Sequence, residues 1–535
     1  MIIPWSTRAS IFIIIFIGFL TVIYLLKWLI IRKGKKLFSF LFSIWRSIKQ
    51  AIAENPEVIK FIERHKILAK FIKNRLKKNH FYGRPLTLLS LALLYILFLF
   101  GGVIESIINS EIIVSADIRA ANLLAAFRHP ALTRFFFWVT LLGKWQIVLI
   151  FTIAAILILW LWNKRSYIIP LLLCIAGSEI FTFAGKLIFH RARPSVALYL
   201  ENSFSFPSGH ATIAIALYGF IAYVLIKHSK KWKRKINIFF ITFILIFLIG
   251  FSRLYLGVHY VSDVWGGYLV GAIWLIIAIG FLEYFLHKKQ KPDTFFPKTK
   301  KRLATFGLIF ASIFLYIIFG FNYQTPELMM FQASAAVTTT EVMNIFNPDQ
   351  LKYTETLLGN IQEPLSFVII AKNDQQLLDL FQKAGWQLAD NISVPGITKL
   401  ARAAFWKNPY SQAPITPDFW NANVHDFGFE KATDANNVRT RHHARFWKTN
   451  YIMENGAAIY VGTASFDSGI KWGITHQISP DIDTEREFLY NDLQSTGMIT
   501  NATKQQFVAP KLGINFLGDL FFTDGKLYLI TTPVD

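Results

Sequence analysis

The sequence predicts an all-α polytopic membrane domain of about eight transmembrane helices, followed by a C-terminal soluble α+β domain. Hydrophobic residues make up 53% of the chain and the mean hydropathy is +0.40, whereas soluble domains are roughly 45–50% apolar even when Gly is counted. Long apolar runs fill the first 321 residues and then stop, while Asn, Asp, Thr and Gly become more frequent. The 535 residues provide enough chain for both parts.

The membrane prediction rests on apolar runs that are long enough to cross a bilayer with some tilt. The first run is followed by a basic cluster from Arg32 to Lys36, which reverses the charge order of a signal peptide. We therefore predict a retained membrane anchor. The runs cover residues 10–31, 86–108, 146–162, 167–189, 211–226, 236–252, 263–286 and 303–321.

Orientation follows from the basic residues between the runs, because Lys and Arg concentrate in cytoplasmic connections. Four alternate connections are basic, and one orientation places all of them in the cytoplasm. It puts the N-terminus, the connections 109–145, 190–210 and 253–262, and everything after 321 on the opposite side. The numbers of Lys and Arg are 15 in residues 32–85, two at 164–165, six in 227–235 and seven in 287–302.

The net charge of +23 belongs to the membrane part of the chain. Residues 1–326 carry 40 Lys and Arg against 11 Asp and Glu, whereas residues 327–535 carry 16 against 22. Basic groups beside membrane spans face anionic lipid, so we expect no nucleic-acid partner. The single cysteine, Cys174, excludes a disulfide within the chain.

The basic stretch 35–80 carries apolar residues at helical spacing, which is typical of a helix on the inner membrane surface. A solvated basic linker is the alternative. The apolar positions are Leu37, Phe38, Leu41, Ile44, Trp45 and Ile48.

The chain after residue 321 shows the local patterns of an α+β domain. Residues 366–370, 458–461 and 527–532 are short β-like runs, and residues 374–384 favour a helix. We predict a domain of about two hundred residues, tethered by the last span.

Three fixed cations lie at predicted outer ends of the spans, where charged groups are costly and usually functional. They are Lys186, Arg193 and Arg253. Together they match the charge of a phosphate group, and each arginine can pair with its oxygens through two hydrogen bonds.

Two histidines, an acid and a Ser-Gly turn occur at the same predicted face. Ser208 and the Gly209 amide precede a predicted helix start, where backbone N–H groups favour an anion. His259 and Asp263 are four residues apart, so one helical turn brings the acid to the imidazole and fixes its tautomer. His210 remains as a second imidazole, suited to protonating a leaving oxygen.

These residues form a three-part pattern that resembles the signature of the type 2 phosphatidic acid phosphatases. The resemblance covers about residues 85–290 and implies a helical bundle that works without a metal or other cofactor. It implies that His259 attacks phosphorus, that Asp263 orients it, and that His210 protonates the leaving oxygen and then activates water. By the same resemblance the phosphoryl oxygens are held by Lys186, Arg193, Ser208, Gly209 and Arg253. The pattern reads Lys186-x6-Arg193-Pro194, Pro207-Ser208-Gly209-His210 and Ser252-Arg253-x5-His259-x3-Asp263.

The resemblance leads us to expect a membrane phosphatase that hydrolyses a phosphomonoester or diphosphate of a lipid or polyprenyl substrate through a phosphohistidine. The expected location is the inner membrane of a bacterium, with the site facing the periplasm. Phosphatidate, undecaprenyl diphosphate, phosphatidylglycerol phosphate and a lipid A phosphate all fit. Two alternatives stay open: a haloperoxidase-like enzyme using the same site, and a protein that binds phosphorylated lipid or assists envelope assembly without turnover.

The stretch from Gly456 to Glu487 resembles the LssY-type C-terminal domain found fused to such phosphatases. Its role stays open between metal binding or catalysis, contact with lipid headgroups or an envelope partner, and a set of ordinary turn and surface residues. Residues 330–535 as a whole contain a second cluster of mostly polar residues: Arg439, Arg441, His442, His443, Arg445, Trp447, Asp467, His476, Asp481, Asp483, Glu485 and Glu487. The predicted parts of the chain are an anchor and basic segment (1–84), the phosphatase domain (85–290), a link with the last span (291–325) and the LssY-like domain (326–535).

Overall fold

The structure is a computed structural model whose internal contacts divide the chain into two units. The membrane unit comprises Phe16–Ser110 and Thr133–Leu328, and the C-terminal unit comprises Met1–Ile15, Glu111–Leu132 and Met329–Asp535. The predicted domain boundaries at 290–291 and 325–326 fall outside the described residues. The structure describes residues 5–77, 81–109, 111–288, 299–323, 336–390, 412–413, 415–433, 440–471, 475–515 and 518–534.

Helices dominate the described chain up to residue 322. A π-helical turn, Ala214–Gly219, joins α9 to α10 in one continuous helical segment. The helices are α1 (Trp5–Glu54), α2 (Pro56–Arg64), α3 (Lys66–Arg75), α4 (Arg84–Asn109), α5 (Glu111–Ala126), α6 (Pro130–Leu141), α7 (Trp145–Leu161), α8 (Ile168–Phe189), α9 (Gly209–Ile213), α10 (Phe220–His228), α11 (Trp232–Tyr255), α12 (Val261–Lys288) and α13 (Thr299–Asn322).

Among the described residues, six helical segments are long and apolar enough to cross a membrane, and a bent pair of helices makes a seventh. The bent pair is α6 with α7, which meet at 47°. The third predicted run is therefore only the second half of a broken span, and the predicted connection 109–145 contains α5 and α6. The six segments are α4, Arg165–Phe189, Gly209–His228, α11, Val261–His287 and α13.

The first predicted run lies within α1, which continues without a break through the basic cluster to Glu54. Phe19 of α1 stacks on Phe247 of the spanning helix α11, with ring centroids 4.6 Å apart. Trp232, at the start of α11, donates from Nε1 to the carbonyl of Ile30 at 3.4 Å. This antiparallel packing supports the first run as a span. The helical character of the segment 35–75 is confirmed by α1 to α3, whereas its place on the membrane surface stays a prediction.

A buried ion pair within the C-terminal unit constrains the number of membrane crossings. Arg119 of α5 donates from Nη2 to Glu355 Oε2 at 2.6 Å, and both side chains are less than a tenth exposed. Asn122 of α5 also donates to the carbonyl of Ala422 at 2.8 Å. Residues in such contact share one side of the membrane, so an even number of crossings must separate them. Five of the six segments above intervene in the described chain, so the bent pair must be the sixth crossing.

Glycines on α12 bring the segment Ser208–Thr212 against that helix. A Cβ atom built on Gly267 would lie 2.5 Å from the carbonyl oxygen of Ser208, and one on Gly271 would lie 2.5 Å from that of Thr212. Real Cβ atoms do not approach this closely, so only glycine permits the packing. The Ser208 amide also donates to the carbonyl of Asp263 at 3.0 Å, which fixes this turn at the start of α12.

The C-terminal unit is built on a mixed β-sheet. The main sheet has the order β12-β15-β4-β10-β9-β8-β5, in which β15 and β4 are parallel and the other neighbours along this path are antiparallel. The strands are β1 (Val337–Thr339), β2 (Tyr353–Glu355), β3 (Ile361–Pro364), β4 (Phe367–Ala371), β5 (Gln387–Leu388), β6 (Phe419–Trp420), β7 (Asn423–Val424), β8 (Phe427–Ala432), β9 (Arg441–Met453), β10 (Ala458–Lys471), β11 (Thr475–Ile478), β12 (Asn501–Gln506), β13 (Lys511–Ile514), β14 (Leu520–Thr523) and β15 (Lys526–Thr531).

Both faces of this sheet are covered, because alternate residues of its central strands enter two different cores. Phe367 and Phe446 pack with Phe381 of α14 (Asp374–Lys383) and with neighbouring α15 (Ile482–Ser495). Val368 and Trp447 point into the other core. The predicted runs 366–370, 458–461 and 527–532 are the adjacent strands β4, β10 and β15, and the predicted helix is α14. The predicted α+β domain is therefore confirmed.

We predict that Gly267→Ala destabilises the membrane unit and lowers activity. The new methyl group meets a backbone oxygen that moves only with its helix, and overpacking of this kind costs about 1–3 kcal/mol. The matched control is Gly280→Ala on the same helix, where the new Cβ would make an ordinary contact of 3.8 Å with Leu89. The measurement is thermal unfolding in detergent. Equal unfolding temperatures for the two variants would contradict the packing argument.

We predict that residues 112 and 357 are labelled from the same side of the membrane. Single cysteines replace the exposed residues Ile112 and Leu357 in a Cys174→Ala background, and a membrane-impermeant maleimide is added to spheroplasts. Three crossings, α11, α12 and α13, separate the exposed residue Lys230 from Leu357. A cysteine at position 230 should therefore react only from the opposite side of the membrane. Labelling of 112 and 357 from opposite sides would show that α6 and α7 do not form a span.

Candidate active site

The structure places the eight predicted site residues at neighbouring helix ends of the membrane unit. Lys186 lies in the last turn of α8 and Arg193 in the connection that follows it. Ser208 precedes α9, while Gly209 and His210 begin that helix. The other three residues flank the short connection from α11 to α12: Arg253 in the last turn of α11, His259 in the connection and Asp263 in the first turn of α12.

Asp263 faces the imidazole of His259, as the spacing predicts. Asp263 Oδ2 lies 3.5 Å from His259 Nδ1 and accepts a hydrogen bond of 2.8 Å from the Tyr260 amide. Its other oxygen, Oδ1, accepts a hydrogen bond of 2.6 Å from Arg191. Catalytic hydrogen bonds are often long without substrate, so this geometry is suited to holding a proton on Nδ1.

The other ring nitrogen of His259 faces the cations. His259 Nε2 lies 3.3 Å from Arg193 Nη1. Burial lowers the pKa of His259 to about 4; the hydrogen bond with Asp263 opposes this change, while Arg193 and Arg253 add to it. The ring is therefore neutral at neutral pH, and a neutral imidazole has the lone pair that a nucleophile needs.

Lys186 and Arg193 donate to the same short stretch of the connection between α8 and α9. Lys186 Nζ donates to Ser203 Oγ at 3.0 Å and to the carbonyl of Phe204 at 2.7 Å. Arg193 donates from Nε to the carbonyl of Ser203 at 2.7 Å and from Nη2 to Ser203 Oγ at 3.0 Å. Two of the three cations therefore converge on Ser203.

The third cation, Arg253, is almost fully buried and bound to Glu201. Arg253 Nη1 donates to Thr140 Oγ1 at 2.9 Å and to the Tyr199 hydroxyl at 2.8 Å, while Nη2 donates to Glu201 Oε1. Glu201 Oε2 also lies 2.8 Å from Arg193 Nη2. Burial alone would raise the pKa of Glu201, but Arg253, His259, Arg193 and His210 hold it well below its usual value. Glu201 is therefore ionised, and its carboxylate lies close enough to His210 and His259 to interact with them electrostatically.

Besides His259 Nδ1, which lies 3.5 Å from Asp263 Oδ2, two buried polar atoms of the site have no hydrogen-bond partner in the part of the chain that the structure describes. They are Ser208 Oγ and Arg253 Nε. Ser208 and Arg253 are no more than 1% exposed. A buried polar atom without a partner is costly, and oxygens of a bound phosphoryl group would satisfy both.

His210 packs against the junction of α6 and α7. A Cβ atom built on Gly143 would lie 2.8 Å from His210 Cδ2. The bend of the broken span therefore sets the position of this imidazole, which no pattern in the sequence indicates.

Five polar residues that contact the site were not predicted from the sequence: Thr140, Arg191, Tyr199, Glu201 and Ser203. A signal for Glu201 exists, because it is one of only 11 acids in the first 326 residues and lies in a predicted outer connection. Arg191, two residues before Arg193, resembles any other basic residue of that segment. Tyr199 is identified only by its tertiary contacts.

The polar residues noted in the C-terminal domain separate into several structural groups. Arg441 donates to Asp467 at 2.9 Å and to Glu430, which is not one of the residues predicted from the sequence. Asp481 caps α15 by accepting from the amides of residues 483 and 484. Arg439 and the side chain of His476 lie outside the described residues. Within the described chain, no three His, Cys, Asp or Glu side chains are grouped as metal ligands.

Comparisons with known proteins match both parts of the chain. Residues 167–287 match the PAP2 superfamily and residues 348–527 match the LssY C-terminus. Phosphatidylglycerophosphatase B of Bacillus subtilis (strain 168) is 32% identical over 197 residues, which are 36% of this chain and 97% of that protein. The putative undecaprenyl-diphosphatase YbjG of Escherichia coli (strain K12) is 30% identical over 140 residues, which are 24% of this chain and 66% of that protein.

Among solved structures, the crystal structure of a transmembrane PAP2 type phosphatidylglycerolphosphate phosphatase from Bacillus subtilis is 30% identical. It covers 36% of this chain and 96% of that one, with a TM-score of 0.34. The family match coincides with the helices that carry the site, and the match to phosphatidylglycerophosphatase B covers nearly all of that relative. The chain therefore belongs to the PAP2 superfamily and carries an LssY C-terminal domain after its membrane-spanning part.

Proposed function

We propose that the protein is an integral membrane phosphatase that removes phosphate from a phosphorylated lipid or polyprenyl substrate through a phosphohistidine. The observation that carries this proposal is the placement of a neutral, buried imidazole at the edge of a cluster of cations. His259 Nε2 lies 3.3 Å from Arg193 Nη1, while Asp263 faces Nδ1 on the other side of the ring. Nucleophile, orienting acid and anion-binding groups thus meet at one point.

The charges of the site suit a phosphoryl group. Lys186, Arg193 and Arg253 supply three positive charges and Glu201 one negative charge, which leaves two to meet the two negative charges of a phosphomonoester. The three cationic side chains and the unpartnered Ser208 hydroxyl are held in place by the protein before substrate arrives. Donors held in place in this way stabilise the charge that develops on the phosphoryl oxygens in the transition state.

In the first step, His259 Nε2 forms a bond to phosphorus and the bond from phosphorus to the lipid oxygen breaks. His210, which takes up a proton beside the bound phosphoryl dianion, gives that proton to the lipid oxygen, so the lipid leaves as an alcohol or as a monophosphate. Asp263 stabilises the positive charge that the ring of His259 acquires.

In the second step, a water molecule attacks phosphorus while His210, now neutral, takes its proton. The bond between Nε2 and phosphorus breaks, and inorganic phosphate and the original His259 are regenerated. No metal ion takes part in either step, because the fixed cations and the two histidines supply the charge and the proton transfers.

The site lies at helix ends, which is the depth of a lipid headgroup. A substrate with a long chain can enter sideways from the bilayer and keep its chain in the hydrocarbon. The similar proteins are named for phosphatidylglycerophosphate and undecaprenyl diphosphate, which supports a lipid phosphate or diphosphate as the substrate class. The four basic connections support an orientation with the site and the C-terminal domain facing the periplasm of a bacterial inner membrane.

We predict that His259→Ala lowers phosphate release by about a thousandfold or more, since removal of a covalent nucleophile has effects of this size. Purified protein in detergent is assayed with phosphatidylglycerophosphate, phosphatidate and undecaprenyl diphosphate. The control is His65→Ala, which changes an exposed histidine of the basic N-terminal segment and should leave release unchanged. A rate of phosphate release in the His259→Ala variant equal to that of the wild type would exclude His259 as the nucleophile.

We predict that activity stays within about twofold of its starting value in excess chelator, because the proposed steps need only protein groups. Phosphate release is measured before and after dialysis against EDTA, with a metal-dependent phosphatase treated in parallel to show that the chelator works. Activity that is lost and then restored by a divalent ion would overturn the proposed mechanism.

A further inference from the structure

The segment Tyr199–Phe204 occupies hydrogen-bond donors of all three cations of the site. Ser203 and Phe204 accept from Lys186 and Arg193, and Glu201 binds Arg193 and Arg253. The donors that the proposed function assigns to a phosphoryl group are therefore engaged by the protein itself.

Glu201 imitates part of a phosphoryl group in these contacts. Its two oxygens bind two guanidinium groups, as two phosphoryl oxygens would. A carboxylate has only two oxygens, however, and the Ser208 hydroxyl and Arg253 Nε stay without a partner among the described residues. A phosphoryl group with three terminal oxygens would satisfy the two arginines and these two atoms together.

Glu201 is the partner in these ion pairs that can move. The side chain of Arg253 is 1% exposed and that of Arg193 is 11% exposed, whereas that of Glu201 is 26% exposed. Residues 202–204 beside it are exposed, while Tyr199 and Ser205 at the two ends of the segment are buried. Outward movement between these two anchors would release the arginines without exposing core residues.

We propose that Glu201 is an internal competing anion, which a substrate's phosphoryl group displaces from Arg193 and Arg253 and which returns when phosphate leaves. This inference rests on the proposed function and adds a selection rule to it. A phosphomonoester or a terminal diphosphate carries close to two negative charges and replaces a carboxylate with a gain in attraction. A phosphodiester carries one negative charge, as the carboxylate does, so replacing Glu201 with it brings no gain in attraction to the two arginines. Glu201 thus favours lipid phosphates over the phosphodiesters that fill the membrane.

The test measures binding of two soluble probes, inorganic phosphate and dimethyl phosphate, to purified full-length protein by calorimetry in detergent. Glu201→Gln keeps the shape of the side chain and removes its charge. We expect it to bind inorganic phosphate about tenfold more tightly than wild type, the factor that corresponds to loss of one competing charge-assisted hydrogen bond. We also expect it to bind dimethyl phosphate measurably, which wild type should not do.

Two further variants test whether tighter phosphate binding comes from loss of the competing Glu201 charge or from loss of any hydrogen-bond acceptor or any carboxylate. Ser203→Ala removes a neutral acceptor from Lys186 and Arg193, so it should tighten phosphate binding by only about twofold to threefold. Glu105→Gln removes an exposed carboxylate of α4 and should change nothing. Thermal unfolding verifies that each variant is folded.

Unchanged or weaker phosphate binding in folded Glu201→Gln protein would overturn the inference, because Glu201 would then only hold the arginines in place. Continued rejection of dimethyl phosphate by that variant would overturn the selection rule. Failure of the proposed function is a separate result, seen as wild-type protein that releases no phosphate from any lipid substrate.

Discussion

The candidate site depends on Asp263 more than on any other residue, because this one residue connects all three parts of the signature. Its carboxylate accepts from Arg191 in the connection after α8 and faces His259 before α12, while its carbonyl accepts from the Ser208 amide before α9. The side chain is fully buried beside Arg191, which is 11% exposed. Loss of one partner from a buried ion pair costs about 3–5 kcal/mol. The groups that contact the proposed nucleophile, His259, therefore also hold three helix ends together.

Charge balance is the second constraint on the site. Three cations in a partly buried volume repel one another, and without substrate an internal anion lowers that cost. Glu201 meets this need from a segment whose neighbouring side chains face solvent, whereas Asp263 is committed to Arg191 and His259 and cannot leave. The two acids thus have different roles. Asp263 is a permanent part of the structure of the site, whereas Glu201 is placed to exchange with an incoming anion.

The sequence was most informative where a local pattern decides the structure. Apolar runs identify most spans, short runs of β-branched and aromatic residues identify β4, β10 and β15, and the spacing of His259 and Asp263 places them together. It was least informative where tertiary contacts decide. The break between α6 and α7 is not visible in hydropathy, because Pro130–Leu141 is too short to cross a bilayer alone. The roles of Arg191 and Gly143 depend on groups distant in the chain, Asp263 and His210, so no spacing reveals them.

The Arg119–Glu355 pair has a consequence for biosynthesis. The two residues are 236 positions apart, and at about 5–20 residues per second the ribosome needs roughly 10 to 50 s to make the chain between them. During that time α5 has left the ribosome while its partner does not yet exist, and six crossings must be inserted before Glu355 emerges. A chain that inserts one crossing too few delivers Glu355 to the wrong side and leaves Arg119 without its counter-ion. The pair therefore links completion of the C-terminal domain to correct insertion of the helices that precede it.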